Sequence, residues 1–413
     1  MGADEGALAR TNRWIQSRFS QYYARAHLDL PQRFTKREWA FLFFDKSFMV
    51  RHLAFQKRDQ LRAYLRDQAP RHAYYSTAFY QEPDAHTMVE KVWKGATLVF
   101  DLDADHLRGA AKMGYAEMLA AVKVEFIKLV DRWLVGKLGY DADDVHIVFS
   151  GGRGYHAHIE DPRVLELSAY ERREVVDLIT GKAPVGEYLI QQAYKGGRRK
   201  DGRGYASRGS IMPSPERGDW KGDLTRETLA FFHELDSEIQ DGRRDASVKR
   251  FSQLAEVPED DAGKFLDMLM GTDDSGARRI DHLLGDHRIE LDSGINDKFW
   301  RRIHEKLYVQ MAGEADEPVT ADIKRLIRLP SSIHGKSGLM ARTLTRDELD
   351  GFDPLRDALA FGRAPVEVEG LADMAFDIGG ERHAIETGKR ARLPEYAAMF
   401  ACLRGSAAIP GGG

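Results

Sequence analysis

Apolar residues first recur at helix-like spacing between about residues 7 and 28, where Leu8, Trp14, Ile15, Phe19 and Tyr22 predict one amphipathic helix. The segments "REWAFLFF" (37–44) and "SFMVRHLAF" (47–55) are dense in aromatic and branched residues, with Asp45 and Lys46 between them. That pattern predicts two strands in a hairpin. "LVFDLD" (98–103) reads as a further strand, and "YAEMLAAVKVEFIKLVDRWL" (115–134) as a long amphipathic helix. "VHIVFS" (145–150) and "YHAHIE" (155–160) predict strands joined by the glycine-rich turn "GGRG". A helix follows at about 169–180, with Ser168 and Glu171 at the spacing of a capping box.

The pattern changes over 181–295, which reads as helical stretches and polar linkers with little strand signal. The most polar linker, 195–221, is expected to be a mobile loop. It holds eight Lys/Arg against three Asp/Glu, a modest excess that suits a solvated linker as well as contact with a template or partner. Alternation returns at "VTADIKRLIRLPSSIHGKSGL" (319–339), where a short helix is expected to present Lys324, Arg325 and Arg328 ahead of a loop with His334 and Lys336. The last fifty residues read as short strands followed by the helix "PEYAAMFACLRG", and the terminal "PGGG" should be disordered. No internal repeat is visible.

The chain has 413 residues, 43% hydrophobic and 31% charged, enough for two or three structural units. No apolar run reaches the length of a membrane span, and the N-terminus lacks the order of a secretory signal. The single cysteine, Cys402, excludes an intramolecular disulfide and a Cys-based zinc cage. A soluble cytoplasmic protein is therefore expected. A net charge of −4 does not by itself point to nucleic acid, so a polyanion would need a local basic surface.

Three constellations could carry chemistry. Strand alternation puts Leu98, Phe100 and Leu102 on one face and Val99, Asp101 and Asp103 on the other. The two carboxylates are then about 7 Å apart at their Cα atoms, near enough to share a hard divalent cation. Taken alone, this short and common pattern favours a solvated strand end with turn-forming aspartates. "SGGRGYH" (150–156) lets backbone N–H groups and the Arg153 guanidinium approach an anion, with Ser150 and His156 flanking the turn. A hairpin turn with an exposed arginine is the plain alternative. The third stretch, 316–339, combines Asp316 with several cations, and alone it could be a basic amphipathic surface. Together, acidic pairs beside two cationic, glycine-flanked loops are what a nucleoside triphosphate site with metals requires.

"VFDLDAD", "FSGGRGYHAHI" and "RLIRLPSSIHGKSGL", in this order, resemble the catalytic small subunit of archaeal and eukaryotic DNA primase. The likeness extends to "REWAF…VRHLAF" and "LPEYAAMF", hence over nearly the whole chain. It implies an α/β (α+β) fold, the archaeo-eukaryotic primase catalytic core, with a mixed β-sheet and a helical insertion. The expected organisation is a first part of the core at 1–180, a mainly helical insertion at 181–290, and a second part of the core with C-terminal strands and helix at 291–413.

The resemblance implies template-directed synthesis of short RNA or DNA primers for replication. Asp101, Asp103 and Asp316 match the metal-binding catalytic aspartates, with Asp322 close enough in sequence to compete for the third place. Ser150, Arg153, His156, Arg328 and His334 match nucleotide-binding positions. Glu38 and Arg51 resemble positions near the initiating nucleotide. Two catalytic Mg²⁺ or Mn²⁺ ions, a single-stranded DNA template, nucleoside triphosphates and a large-subunit partner are implied, and no membrane.

One departure stands out. The family usually carries a zinc knuckle after the first acidic motif, whereas "HLRGAAKMGYAEMLAAVKVEF" has no Cys and only His106. No structural zinc is expected there, and ordinary helix packing should replace it. The rival readings are a repair-type primase-polymerase of the same superfamily and a non-catalytic nucleic-acid-binding or scaffold subunit. Three aligned aspartates argue against the last.

Overall fold

Leu98, Phe100 and Leu102 are almost wholly buried, and that burial holds the strand Leu98–Asp103 in place at roughly 1.5–3 kcal/mol per side chain. Val99 on the opposite face is buried as well, so only the two carboxylates of this strand remain partly open. The computed structural model of the chain describes residues 2–107, 109–182, 191–198, 204–273, 276–289 and 294–411. They divide into two compact units, 1–179 with 314–413, and 180–313.

The larger unit has the α+β composition expected, and its named strand pairs are antiparallel. One four-stranded sheet runs in the order Arg342–Leu344, Val145–Phe149, Gly154–Ile159, Leu98–Asp103. A second runs in the order Leu326–Arg328, His72–Ser76, Trp39–Leu42, Met49–Leu53. The hairpins predicted over 37–55 and 145–160 are both present, with strands inside 39–53 and 145–159. Ser168 and Glu171 cap the helix Ala169–Thr180 reciprocally, as their spacing predicts.

The N-terminal helix Gly2–Arg25 buries Ile15, Phe19 and Tyr23. Tyr22 donates to the Ser331 carbonyl at 2.8 Å, and the Tyr23 oxygen accepts from the Ile333 N–H at 3.2 Å. The helix thus pins the "LPSSIHGKSG" loop from behind. At the other end of the chain, the helix Glu395–Leu403 is buried along most of its length against the strands Pro365–Gly370, Arg390–Pro394 and Ala407–Ala408.

Three expectations are corrected. Within 195–221, residues up to Arg198 and from Gly204 to Ile211 pair as an eight-rung antiparallel hairpin of the strands Gln191–Arg198 and Gly204–Ile211. Residues 199–203 lie outside the described residues. A polar ribbon satisfies its backbone by pairing without an apolar run, so hydrophobic patterning does not reveal it. Second, Lys324 to Arg328 is not helical: the helix Glu317–Ala321 ends earlier, and Leu326–Arg328 is a strand paired with Tyr74–Ser76. The i, i+2 alternation of the strand outweighed the short basic helix pattern.

Third, the helix Gly294–Met311 packs on the helices Trp220–Gln240 and Arg244–Ala255 of the smaller unit, so the change of unit comes at 313/314 rather than 290/291. Phe232, Phe251, Phe265 and Trp300 form an aromatic core there, with ring centroids 5.0–6.5 Å apart.

Where the family's knuckle would stand, two short 3-10 turns (Ala104–His106 and Ala110–Lys112) precede the helix Tyr115–Lys128. The side chain of His106 and the final residues 412–413 of the "PGGG" tail lie outside the described residues.

Candidate active site

The turn Ser150–Gly154 is closed by the Ser150 N–H donating to the Gly154 carbonyl at 2.9 Å. The Ser150 hydroxyl oxygen accepts from the N–H groups of Gly152 and Gly154 at 3.2 and 3.3 Å. Gly151 has φ +73°, which only glycine adopts without strain. Gly154 lies directly opposite Asp103, where a side chain would press on the Leu102 carbonyl. Glycine at both places lets the turn close tightly on the acidic strand.

Register then sets the chemistry. Asp101 is the cross-strand neighbour of His156, whose Nε2 lies 3.4 Å from the Asp101 carboxylate. Arg153 pairs with Asp105, and its Nε is 3.8 Å from Asp103. Asp105 sits in a 3-10 turn, as a turn-former should, while Asp101 and Asp103 stay on the strand. The Asp316 N–H donates to the Asp101 carbonyl at 2.9 Å, bringing the third aspartate alongside.

Burial and the neighbouring Asp103 and Asp316 push the Asp101 carboxyl up to about 7. One carboxylate oxygen of Asp103 is buried with no hydrogen-bond partner among the described residues. Among the described residues no three His, Cys, Asp or Glu side chains are already arranged as a metal cage. The residues nonetheless fit a hard cation: the oxygens are acidic, crowded and incompletely satisfied, and a divalent ion would relieve the repulsion.

The second sheet brings the cations. Arg328 pairs in register with Tyr74, lies over its ring at 5.0 Å, and donates to His72 Nδ1 at 2.8 Å. Burial, together with the Arg328 charge, drives His72 down to about 2, so it stays a neutral acceptor. Burial and Arg328 likewise hold His334 well below the usual histidine range. Its Nδ1 is 3.1 Å from the Ser337 hydroxyl, which donates to the Gly151 carbonyl at 2.5 Å and so ties the two loops together. Burial, then Arg328 and Arg325, lower His156 to about 3.

These elements enclose a cleft of about 930 Å³ lined by Asp101, Asp103, Ser150, Arg153, His156, Arg328 and His334 among others. Asp316 flanks Asp101 without lining it. Glu38 and Arg51 are not at the cleft. Glu38 is fully buried, with Arg51 at 3.0 Å and Lys91 at 3.3 Å. Burial pushes its carboxyl up, but Arg51 and Lys91 outweigh that and hold it below the usual range.

Sequence reasoning named Arg325 and Lys336 in the third constellation without assigning them to the site, and it passed over Arg71, Tyr74, Tyr115 and Arg404 among the lining residues. Arg71, Tyr74, Tyr115 and Arg404 lie outside all three constellations, and the single glycines beside Tyr115 and Arg404 make no phosphate-loop pattern. Among the described residues, six Lys and Arg side chains line the cleft against two carboxylates, which suits a polyanion carrying more charge than the metals neutralise.

A family model described as DNA primase small subunit matches residues 100–346. The DNA primase small subunit PriS of Methanococcoides burtonii is 38% identical over 401 residues, 96% of this chain and 98% of its own length. The protein of the same name from Methanothrix thermoacetophila is 37% identical over 404 residues, 97% of this chain and 99% of its own. That of Methanocella arvoryzae is 39% identical over 419 aligned residues, 96% and 98% of the two chains.

Proposed function

The chain belongs to the DNA primase small subunit family, and we propose that it joins nucleotides on a single-stranded template within the cleft between Asp101 and Arg328. It is the primer-synthesising subunit of a DNA primase, a nucleotidyltransferase of DNA replication. The family uses divalent metals. The observation that carries the reading of the site is the cross-strand register that sets Asp101 against His156 and Asp103 against the Ser150–Gly154 turn.

Asp101, Asp103 and Asp316 would hold two Mg²⁺ or Mn²⁺ ions. When bound, these ions lower the pKa of the attacking 3′-hydroxyl and offset charge on the α-phosphate and leaving pyrophosphate. Arg153 and Arg328 grip phosphate oxygens through paired N–H groups, which fixes the triphosphate for in-line displacement. The neutral His156 and His334 add no charge next to the aspartates: His334 gives its N–H to Ser337 and so holds the two loops together, while His156 faces Asp101. Ser150 shapes the turn so that its backbone follows the phosphates. No side chain is assigned as general base.

The name of the relatives, small subunit, fits a chain that works with a large-subunit partner. Among the described residues no helix is long and apolar enough to cross a membrane.

Primer synthesis on single-stranded DNA, run with ribo- and deoxynucleotides under Mg²⁺ and Mn²⁺, tests this. The wild type should yield template-dependent products, and the Asp101→Ala/Asp103→Ala variant none. Equal yield from that variant would remove the metal assignment, and no product from either chain would favour a scaffold.

A further inference from the structure

The Ser150–Gly154 turn and the strand Leu326–Arg328 account for Arg153 and Arg328, but a further arginine reaches the cleft from near the C-terminal end of the chain. The helix Glu395–Leu403 ends in a closed turn in which the Gly405 N–H donates to Cys402 and the Ser406 N–H to Ala401, both at 3.0 Å. Gly405 takes φ +74° to make that turn. Arg404, an exposed residue held at its corner, lines the cleft.

Two rings fix its direction. The guanidinium carbon lies 4.4 Å from the Tyr115 ring centroid and 4.3 Å from that of Phe400. Tyr115 also donates from its hydroxyl to the Gly152 carbonyl at 2.6 Å. One rigid aromatic side chain therefore sets Arg404 relative to the turn that carries Arg153. The two guanidinium groups stand close enough to repel, and no carboxylate pairs with Arg404 among the described residues. Arg153 is already paired with Asp105 and stands 3.8 Å from Asp103, whereas Arg404 has no carboxylate partner among the described residues, and its forked guanidinium suits phosphate oxygens.

We propose that Arg404, positioned by Tyr115, forms an anion site on the C-terminal wall of the cleft that binds a phosphate group. The phosphate belongs either to the incoming triphosphate or to the backbone of a nucleic-acid strand. The proposal rests on reading the cleft as a nucleotidyl-transfer centre. Neither the glycine–arginine motif nor the "SSIHGKSG" loop contains this residue, and the C-terminal segment thereby becomes part of the binding surface.

The test uses the full chain with Arg404→Met, which keeps a long stem between the rings, and Arg404→Lys, which keeps charge without the fork. Three quantities are measured: the triphosphate KM in primer synthesis, equilibrium binding of a fluorescent nucleoside triphosphate, and single-stranded DNA affinity against salt. If the phosphate is the nucleotide's, Arg404→Met weakens triphosphate binding and raises KM by roughly tenfold or more, with DNA affinity unchanged. If it is a strand phosphate, DNA affinity falls and the salt slope drops by about one, with triphosphate binding unchanged.

Arg404→Lys gives a smaller loss of the same kind, and carries the test should the Met variant melt early. Tyr115→Phe keeps the ring but frees it from Gly152, and should weaken the same constant less. Folded Met and Lys variants that match an active wild type in all three measurements overturn the anion site and leave the primase reading intact. A wild type that neither makes primers nor binds triphosphate overturns both.

Discussion

Asp101 is held where its charge is least welcome, partly buried beside two other aspartates. Such crowding persists only when something else offsets it. Asp101→Asn or Asp103→Asn should lower primer synthesis by at least about a hundredfold. In chelator the Asp101→Asn protein should melt a few degrees higher than wild type, because one repelling charge is gone. Added Mn²⁺ or Mg²⁺ should raise the wild-type melting temperature and leave the double Asn variant unmoved. A wild type indifferent to both ions would contradict the metal role. Arg153→Ala should raise the triphosphate KM roughly tenfold with a smaller change in kcat, read from initial rates. Asp101, Asp103, Arg153 and His156 could be picked out from sequence because strand alternation and a glycine-rich turn leave local marks. Arg404 could not, since its role depends on Tyr115 nearly three hundred residues away.

Elements place these residues through close backbone approach. A Cβ at position 154 would come closer than 3.0 Å to the Leu102 carbonyl, so Gly154→Ala must push the hairpin off the acidic strand. We expect a loss of about 2 kcal/mol or more in urea unfolding and a larger drop in activity, since Asp103 and Arg153 move apart. Unchanged stability would mean that the two strands do not meet as described. The hairpins at 39–53 and 145–159 were legible because each strand has its own apolar alternation. The paired strands Gln191–Arg198 and Gly204–Ile211 were not, because their pairing energy lies in backbone hydrogen bonds that leave no hydrophobic pattern. The basic stretch at 324–328 was misread as helical, since three residues of strand carry too little period to compete with spaced arginines.

For the molecule as a whole, the smaller unit supplies a pH signature of its own. His304, on the helix Gly294–Met311, is 4% exposed, and burial lowers it to about 4. The unfolded chain takes up that proton near pH 6.5, before the folded one does. Its contribution to stability is therefore complete above pH 6.5 and is lost between pH 6.5 and about 4, on the order of 3 kcal/mol. Denaturant unfolding at several pH values should show a shallower decline for His304→Leu than for wild type over that interval. Parallel curves would mean that the imidazole is not buried in its neutral form.

Chain-local physics made the acidic strand, the glycine–arginine turn and the "SSIHGKSG" loop readable before any fold was in view. Periodicity and glycine content act over a few residues, and so does the order of motifs that carried the family resemblance. Which charges share one cleft was a tertiary matter. Two sheets had to face each other to bring Arg328 and His334 near Asp101, and the same packing sent Glu38 and Arg51 into an ion-pair cluster away from it. The limit of the smaller unit was tertiary too, because an amphipathic helix at 294–311 does not say which neighbours will cover its apolar face. Partner choice across long sequence separations depends on the surface each element buries against the others, and no short window of residues contains that quantity.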